Sequence, residues 1–284
     1  MELLGNASTL IAVCFLNRVS DVTKTKIIAV IPAHMASVRF PGKILFSFSG
    51  LPMIEHVRRR ALLADEINDV FVATCDQQIA DVVTGYGGKI IMTGNHHQNG
   101  TTRVAEAVVD IDCSHVILLQ GDEPLLLPRY LRTLVDAINR NPHGDAWNGV
   151  APLKNLDECD RHSFVKCAIS RNQDVMYCFR RSPAFCDFEK QSSFFKKILG
   201  IVAFRKDFLL RLVNLDATPI EIYEFIEQMR IIEHGFRLTA VPFERALPSL
   251  NEQYEAAEIE DVLKNDEEQK NMLLKTCGIN ATNI

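Results

Sequence analysis

The sequence lacks the features that would tie it to a membrane, to nucleic acid or to an oxidising compartment. No apolar run approaches the roughly 20 residues a membrane-spanning helix needs. Basic residues are not in excess: 31 Lys and Arg stand against 36 Asp and Glu, a formal net charge of −5. That balance argues against a general nucleic-acid coat, while leaving room for a local basic pocket that takes a small anion. The 8 cysteines show no CxxC pair and no metal-type spacing, so they are expected as reduced, mostly buried thiols of a cytoplasmic protein that needs no disulfides. Also missing are a Gly-, Ser- or Pro-rich linker, an internal repeat, and the GxxxxGK[ST] spacing of a P-loop.

What is present, 47% apolar and 24% charged residues in 284, describes a globular chain that buries a full core. The stretch STLIAVCFL (8–16) has the length of a signal-peptide core, but Glu2 precedes it, with no Lys or Arg and no clear small-residue cleavage site. Residues 1–25 are therefore expected as an N-terminal extension, a mobile or docking segment. From residue 26 two periods alternate. KIIAVIPA, DVFVATC (69–75), KIIMTG (89–94) and HVILLQG (115–121) are continuous, β-branched apolar runs, the pattern of strands covered on both faces of a parallel sheet.

Helical stretches lie between these runs. PMIEHVRRRALLAD puts Ile54, Val57, Ala61 and Ala64 on one face, with Arg58, Arg59 and Arg60 expected largely on the wet side. DQQIADVVTGYG opens on Asp76 as an N-cap, and TTRVAEAVVDI aligns Val104, Val108 and Ile111. Pro128 suits the first turn of a helix carrying Leu131, Leu134, Val135 and Ile138. Repeated β–α units predict a mostly parallel, Rossmann-like α/β sheet. Past residue 143 polar stretches interrupt shorter strands, VKCAIS and GIVAFR, before one long helix, PIEIYEFIEQMRIIEHG. Ile222, Phe225, Ile226 and Met229 form its stripe and Gly235 its stop. This second half is expected to complete the sheet and add a smaller mixed substrate-capping part.

In such a sheet, functional residues belong at the carboxyl ends of strands. Strand one ends at Pro32, Ala33 and His34, and Arg39, Gly42 and Lys43 follow in IPAHMASVRFPGKIL. Clustered cations beside main-chain N–H groups suit a polyphosphate; composition alone favours a solvated basic loop, against which the position after the first strand counts. QGDEP (120–124) puts Asp122 after a buried strand, where a carboxylate can hold Mg²⁺ or merely shape a turn. HHQNGTTR (96–103) offers amide and hydroxyl side chains to a nucleobase edge. His96 and His97 are adjacent, would point opposite ways on a strand, and are expected as polar surface rather than as a metal pair.

Taken in order, IPAHMASVRFPGKIL, GLPMIEHVRRRA, VFVATCDQQIADVV, GGKIIMTGNHHQNGTTRVAEA, VILLQGDEPLL, FVKCAI, LGIVAFR and TPIEIYEFIEQMR resemble the successive motifs of the CMP-Kdo synthetases, the 3-deoxy-manno-octulosonate (Kdo) cytidylyltransferases. The resemblance spans about residues 26–245 and divides the chain into the extension, a cytidylyltransferase domain over 26–262 and a polar tail over 263–284. It implies the nucleotidyltransferase type of α/β fold, a part used for dimerisation, CTP, Mg²⁺ and a homodimer. The implied reaction is transfer of CMP to an acidic sugar such as Kdo or to a related acid, with loss of pyrophosphate.

By the same resemblance Arg39 and Lys43 hold the triphosphate, and Gln98, Gly100, Thr101 and Arg103 face the cytosine. Ala33, His34 and Gln120 are further nucleotide contacts, and Asp122 binds metal. Arg181, Glu221, Glu224 and Gln228 fall where the family contacts its sugar, the last three on one polar face of the long helix. Three departures stand out. His34 replaces an arginine, Asn251 in SLNEQYEAAE replaces the second metal-binding aspartate, and Ile198 replaces a sugar-pocket histidine. Asparagine offers metal a carbonyl oxygen without charge, unless Glu252 or Glu255 shifts into place. These departures keep two alternatives open: another acceptor, such as a phosphonate or an amino-sugar acid, or a catalytically weak nucleotide-binding homologue.

Overall fold

The computed structural model describes residues 25–277 apart from Val38 and Phe185. The N-terminal extension with its 8–16 run lies outside the described residues, as do 278–284. No helix among the described residues is long and apolar enough to cross a membrane.

The four apolar runs form strands β1 (Ile27–Ala33), β2 (Asp69–Thr74), β3 (Lys89–Met92) and β4 (His115–Leu119), all parallel, in the order β4-β1-β2-β3. Every residue of β1 is buried, as a strand with helices on both faces requires. A fifth strand, β5 (Ala146–Ala151), arises where the sequence reads as polar interruption. All six of its residues are buried, because Asn148 Nδ2 donates to the Gly149 and Leu199 carbonyls and Trp147 packs in the core. A buried amide with its hydrogen bonds made no longer opposes strand formation.

VKCAIS and GIVAFR become β6 (Lys166–Ile169) and β8 (Phe195–Arg205), with β7 (Val175–Phe179) between them and β9 (Leu238–Pro242) closing the sheet. The order across the sheet is β9-β5-β8-β4-β1-β2-β3. Strand β8 runs antiparallel between β4 and β5, and its register shifts between Ile198 and Val202. Beyond that irregularity its first residues pair with β6, and β6 with β7, so a small antiparallel extension stands beside the main sheet.

Helices α1 (Met53–Ala61), α2 (Gln77–Gly85) and α4 (Pro128–Arg140) cover one face, while α3 (Gly100–Val108) and α7 (Lys206–Leu212) cover the other. Pro128 opens α4, and its four predicted apolar residues are buried. The segments 156–160 and 188–194 form α5 (Leu156–Asp160) and α6 (Phe188–Phe194) in the extension.

Three expectations are corrected. First, Arg58 and Arg60 are buried rather than wet. Arg58 forks onto Glu55 with two 2.7 Å bonds, and Arg60 donates to Gln269 Oε1 at 2.7 Å and to the Leu126 carbonyl. Second, the presumed tail from 263 is structured through 277: α10 (Ala256–Asn265) and α11 (Glu267–Cys277) bury Ile259, Leu263, Gln269 and Leu273 against the face that carries α1. The polar residues of 263–277 are the outer faces of docked helices.

Third, the long helix is two: α8 (Pro219–Glu224) and α9 (Gln228–Glu233), broken at Phe225, whose φ of 54° and ψ of 48° are left-handed. Arg180 donates to the Glu224 and Phe225 carbonyls that the break releases, at 2.6 and 3.0 Å. Of the predicted stripe, Ile226 and Met229 are buried, but Ile222 is 50% and Phe225 81% exposed.

Candidate active site

Strands β1 and β4 end side by side, and the loops leaving them wall a cavity of about 710 Å³. Ala33, His34, Arg39, Lys43, Gln98, Gly100, Arg103, Gln120 and Asp122 all line it, from segments that the sheet order brings together. The loop after β1 is tied by Asp76, whose Oδ2 accepts from Met35 N at 2.8 Å. Asp76 sits at the N-cap position of α2 as predicted, but its carboxylate serves this loop and makes no cap bond of its own. On the other wall α3 begins at Gly100, with Asn99 Oδ1 accepting from Thr102 N. A Cβ at Gly100 would stand 3.0 Å from Pro32 Cγ, so glycine lets the helix start close against the end of β1. A helix N-terminus there favours anions.

At the floor Lys43 Nζ lies 2.7 Å from Asp122 Oδ2 and donates to the Leu250 carbonyl at 2.8 Å. Arg39 Nη2 reaches Asn251 Oδ1 at 3.2 Å, and Leu250 N donates to the Asp122 carbonyl at 3.0 Å. Arg39, Lys43, Asp122 and Asn251 thus form one cluster. Its oxygens are one carboxylate, one amide carbonyl and main-chain carbonyls, a donor set suited to a hard divalent cation. The two glutamates near Asn251, Glu252 and Glu255, are otherwise engaged. Glu255 Oε2 accepts from the backbone N–H of Asn251 and Glu252, and the Glu252 side chain returns the cap to Glu255.

His34 stands at the rim. Desolvation, then the positive fields of Arg103 and Lys43, hold its pKa below the ordinary imidazole value against the opposing pull of Asp76, so near pH 7 it is a neutral donor. Arg103 is buried and donates to Thr93 Oγ1 at 2.6 Å and to the Gly94 carbonyl at 3.2 Å, bracing the loop behind Gln98. Thr101 departs from expectation: its hydroxyl donates to Glu227 Oε2 at 2.6 Å and lines a smaller neighbouring cavity of about 170 Å³.

Across Asp122 a second cavity of about 230 Å³ adjoins the first, sharing Gln120 and Asp122 with it. Asn251, Ile198 and Gln228 line it, together with two residues that the sequence reading passed over, Glu123 and Lys197. Burial, then the neighbouring Asp122 charge, pushes the Glu123 carboxyl up to about 7, and burial lowers the Lys197 ammonium while it rests 3.4 Å over the Phe164 ring. QGDEP contained the signal for Glu123, since a residue beside a strand-end aspartate shares its edge. Lys197 had none, because β8 reads as an ordinary strand.

The expected sugar contacts do not assemble as a set within the chain. Gln228 reaches the second cavity and donates to Asn148 Oδ1 at 3.1 Å. Arg181 and Glu224 line a separate cavity of about 390 Å³ with Tyr177. Glu221 is buried in a two-bond ion pair with Arg230, both bonds 2.7 Å. The break at Phe225 splits the expected polar face: Glu221 and Gln228 both line the cavity of about 170 Å³, whereas Glu224 lines that of about 390 Å³. His96 and His97 lie in the loop before α3; His96 is at the surface as expected, but the His97 side chain is covered, and the two rings, tilted by 37°, stand with centroids 4.2 Å apart.

Comparison with known proteins bears on the family and the fold. Residues 28–241 match the family model described as cytidylyltransferase. The 3-deoxy-manno-octulosonate cytidylyltransferase of Geobacter metallireducens is 34% identical over 227 residues, covering 76% of this chain and 89% of the relative. That of Syntrophotalea carbinolica is 37% identical over 228 residues, covering 77% and 91%. A solved structure of CMP:2-keto-3-deoxy-manno-octonic acid synthetase complexed with CTP superposes with a TM-score of 0.80 at 31% identity, covering 85% of this chain and all of that one. By sequence and by fold, the chain belongs to the cytidylyltransferase family, among the 3-deoxy-manno-octulosonate cytidylyltransferases.

Proposed function

We propose that this protein transfers CMP from CTP to Kdo or a closely related sugar acid, releasing pyrophosphate, and that it requires Mg²⁺. The observation that carries the reading is the pair of cavities meeting at Asp122, a larger one with the cationic cluster and a smaller one with Lys197. CTP fits the first, with its phosphates toward Arg39 and Lys43 and its base toward Gln98 and Gly100. The acid fits the second, its carboxylate drawn by Lys197 and its hydroxyls by Gln228. An acceptor hydroxyl then attacks the α-phosphorus, the new O–P bond forms as the bond to pyrophosphate breaks, and the chain's part is alignment and neutralisation of charge.

Asp122, with Asn251 Oδ1 as an uncharged neighbour, would hold Mg²⁺; when bound, the ion supplies Lewis-acid stabilisation of phosphate charge. Lys43 already faces Asp122 and is free to follow the triphosphate as a mobile point charge. A homodimer and a cytoplasmic location belong to the same proposal. Free cysteines support the location, and light scattering of the purified protein tests the dimer.

A second reading, the same transfer to a phosphonate or an amino-sugar acid, draws on Ile198, which gives the acceptor cavity an apolar wall. Pyrophosphate release with CTP and Mg²⁺, measured with and without Kdo beside an Asp122→Asn control, separates these outcomes. Kdo-dependent release that the control abolishes supports the proposal. CTP binding by calorimetry without release redirects it to another acceptor, and loss of both favours a non-catalytic homologue.

A further inference from the structure

In the loop between β3 and α3, His96 and His97 converge on Glu106 of α3, and His97 also lines the larger cavity. Glu106 Oε2 stands 2.5 Å from His97 Nε2 and 3.8 Å from His96 Nε2. The ligand-type atoms of the three residues all lie within 4.8 Å of one another. This is the one such group of His, Cys, Asp and Glu among the described residues. We propose that His96, His97 and Glu106 bind a divalent transition-metal ion of the Zn²⁺ class, at a site distinct from the hard-cation cluster at Asp122.

The surroundings support a ligand set rather than a chance contact. Glu106 Oε1 accepts from Gly94 N at 2.9 Å, which orients the carboxylate and leaves Oε2 facing the two rings. His97 Nδ1 lies 3.2 Å from Thr102 Oγ1, and that hydroxyl donates to the Asn99 carbonyl at 3.3 Å. With metal on Nε2, the Nδ1 proton donates to Thr102 and the Thr102 proton stays on Asn99, so the chain of donors remains satisfied. A histidine ligand whose second nitrogen is held in this way is fixed in both tautomer and orientation.

The His97 side chain is only 5% exposed, whereas that of His96 is 72% exposed. His97 is therefore held in place beside Glu106, and a metal would replace the proton between them as the two atoms part to a ligand spacing of about 3.3 Å; His96, on the exposed side, already stands near that spacing from Glu106. A cavity of about 530 Å³ adjoins all three residues, with room for water at the open coordination positions. Arg230, the cation on its wall, is neutralised by its two bonds to Glu221.

Ligand chemistry decides the metal class. Two imidazole nitrogens and one carboxylate suit Zn²⁺ and its neighbours, whereas Mg²⁺ prefers oxygen alone and six-fold geometry. The ion would clamp the loop to α3 directly before Gln98, whose side of the loop faces the nucleotide cavity.

The test titrates the reduced, metal-stripped full chain with Zn²⁺ against a chromophoric chelator in excess Mg²⁺, and records X-ray absorption of the one-equivalent complex. The expected result is one saturable site that excess Mg²⁺ does not displace, with nitrogen and oxygen ligands that include two imidazoles and no sulfur. His96→Ala and, separately, Glu106→Gln should each weaken it by about tenfold or more. His96 is exposed, so its variant tests the site without unsettling the fold, and unchanged melting confirms this. Absence of saturable binding, equal affinity in wild type and His96→Ala, or a sulfur-ligated ion overturns the proposal.

Discussion

Lys43 Nζ bonds both Asp122 Oδ2 and the Leu250 carbonyl, at 2.7 and 2.8 Å, joining the loops after β1 and β4 to the segment that carries Asn251. One ammonium therefore holds together the three segments that build the cationic cluster. A triphosphate entering the cavity competes for that ammonium, and its departure frees Asp122 for a cation.

Lys43→Met should accordingly weaken CTP binding by roughly ten- to a hundredfold, the loss of one charge-assisted contact to phosphate. It should also tighten Mg²⁺ binding to the nucleotide-free protein, since Asp122 loses its competing partner. Asp122→Asn should lower turnover by about a hundredfold or more while the protein stays folded. Calorimetry with CTP and with Mg²⁺ separates the two variants, and parallel losses of both ligands in Lys43→Met would contradict this account.

Asn251→Asp adds a carboxylate beside Arg39 and Asp122. Half-saturation by Mg²⁺ should fall about three- to tenfold, a change on the order of 1 kcal/mol. Turnover measured across a Mg²⁺ series reads it directly. An unchanged curve means that the amide oxygen already suffices.

Glu221 and Gln228, on opposite sides of the break, should behave differently. Glu221→Gln leaves Arg230 without its buried partner and should cost on the order of 3 kcal/mol of stability with the acceptor KM unchanged. Gln228→Ala should raise the acceptor KM several-fold with little change in melting. Thermal melts paired with steady-state kinetics distinguish a fold contact from a substrate contact.

His56 is fully buried, its Nε2 2.8 Å from the Phe48 carbonyl, and desolvation lowers its pKa from 6.5 to about 4. The native state thus holds it neutral. Above pH 6.5 both states are neutral and nothing is lost; below it the unfolded chain gains a proton that the fold refuses, and stability falls until about pH 4. At pH 5 the loss is on the order of 2 kcal/mol. His56→Gln should flatten this part of the melting-temperature profile between pH 7 and 5, and a profile parallel to wild type would refute the assignment.

Much of the site was legible because a parallel α/β sheet puts its chemistry at strand ends, and strand ends can be read from where an apolar run stops. Ala33, His34, Gln120 and Asp122 stand at such stops, and all four line the larger cavity. The sugar contacts were less legible, because their placement relied on an uninterrupted helix across 219–235. A helical period cannot register one left-handed residue: Phe225 keeps the apolar spacing while Arg180, from another strand end, satisfies the broken turn.

The sequence by itself determined the central parallel strands, the helices between them and the residue types at the sheet's carboxyl edge, since these depend on local period and on where apolar runs end. Only the tertiary structure decided which distant groups meet. Arg39 bonds Asn251, 212 residues away, and Arg60 lies buried because α11 folds over it and offers Gln269. The physical reason is that burial and pairing belong to the surface that comes to cover a residue, and that surface comes from elsewhere in the chain. His96 and His97 follow the same rule: alternation separates neighbouring side chains on a strand, but a loop turning back toward Glu106 brings both rings to one side.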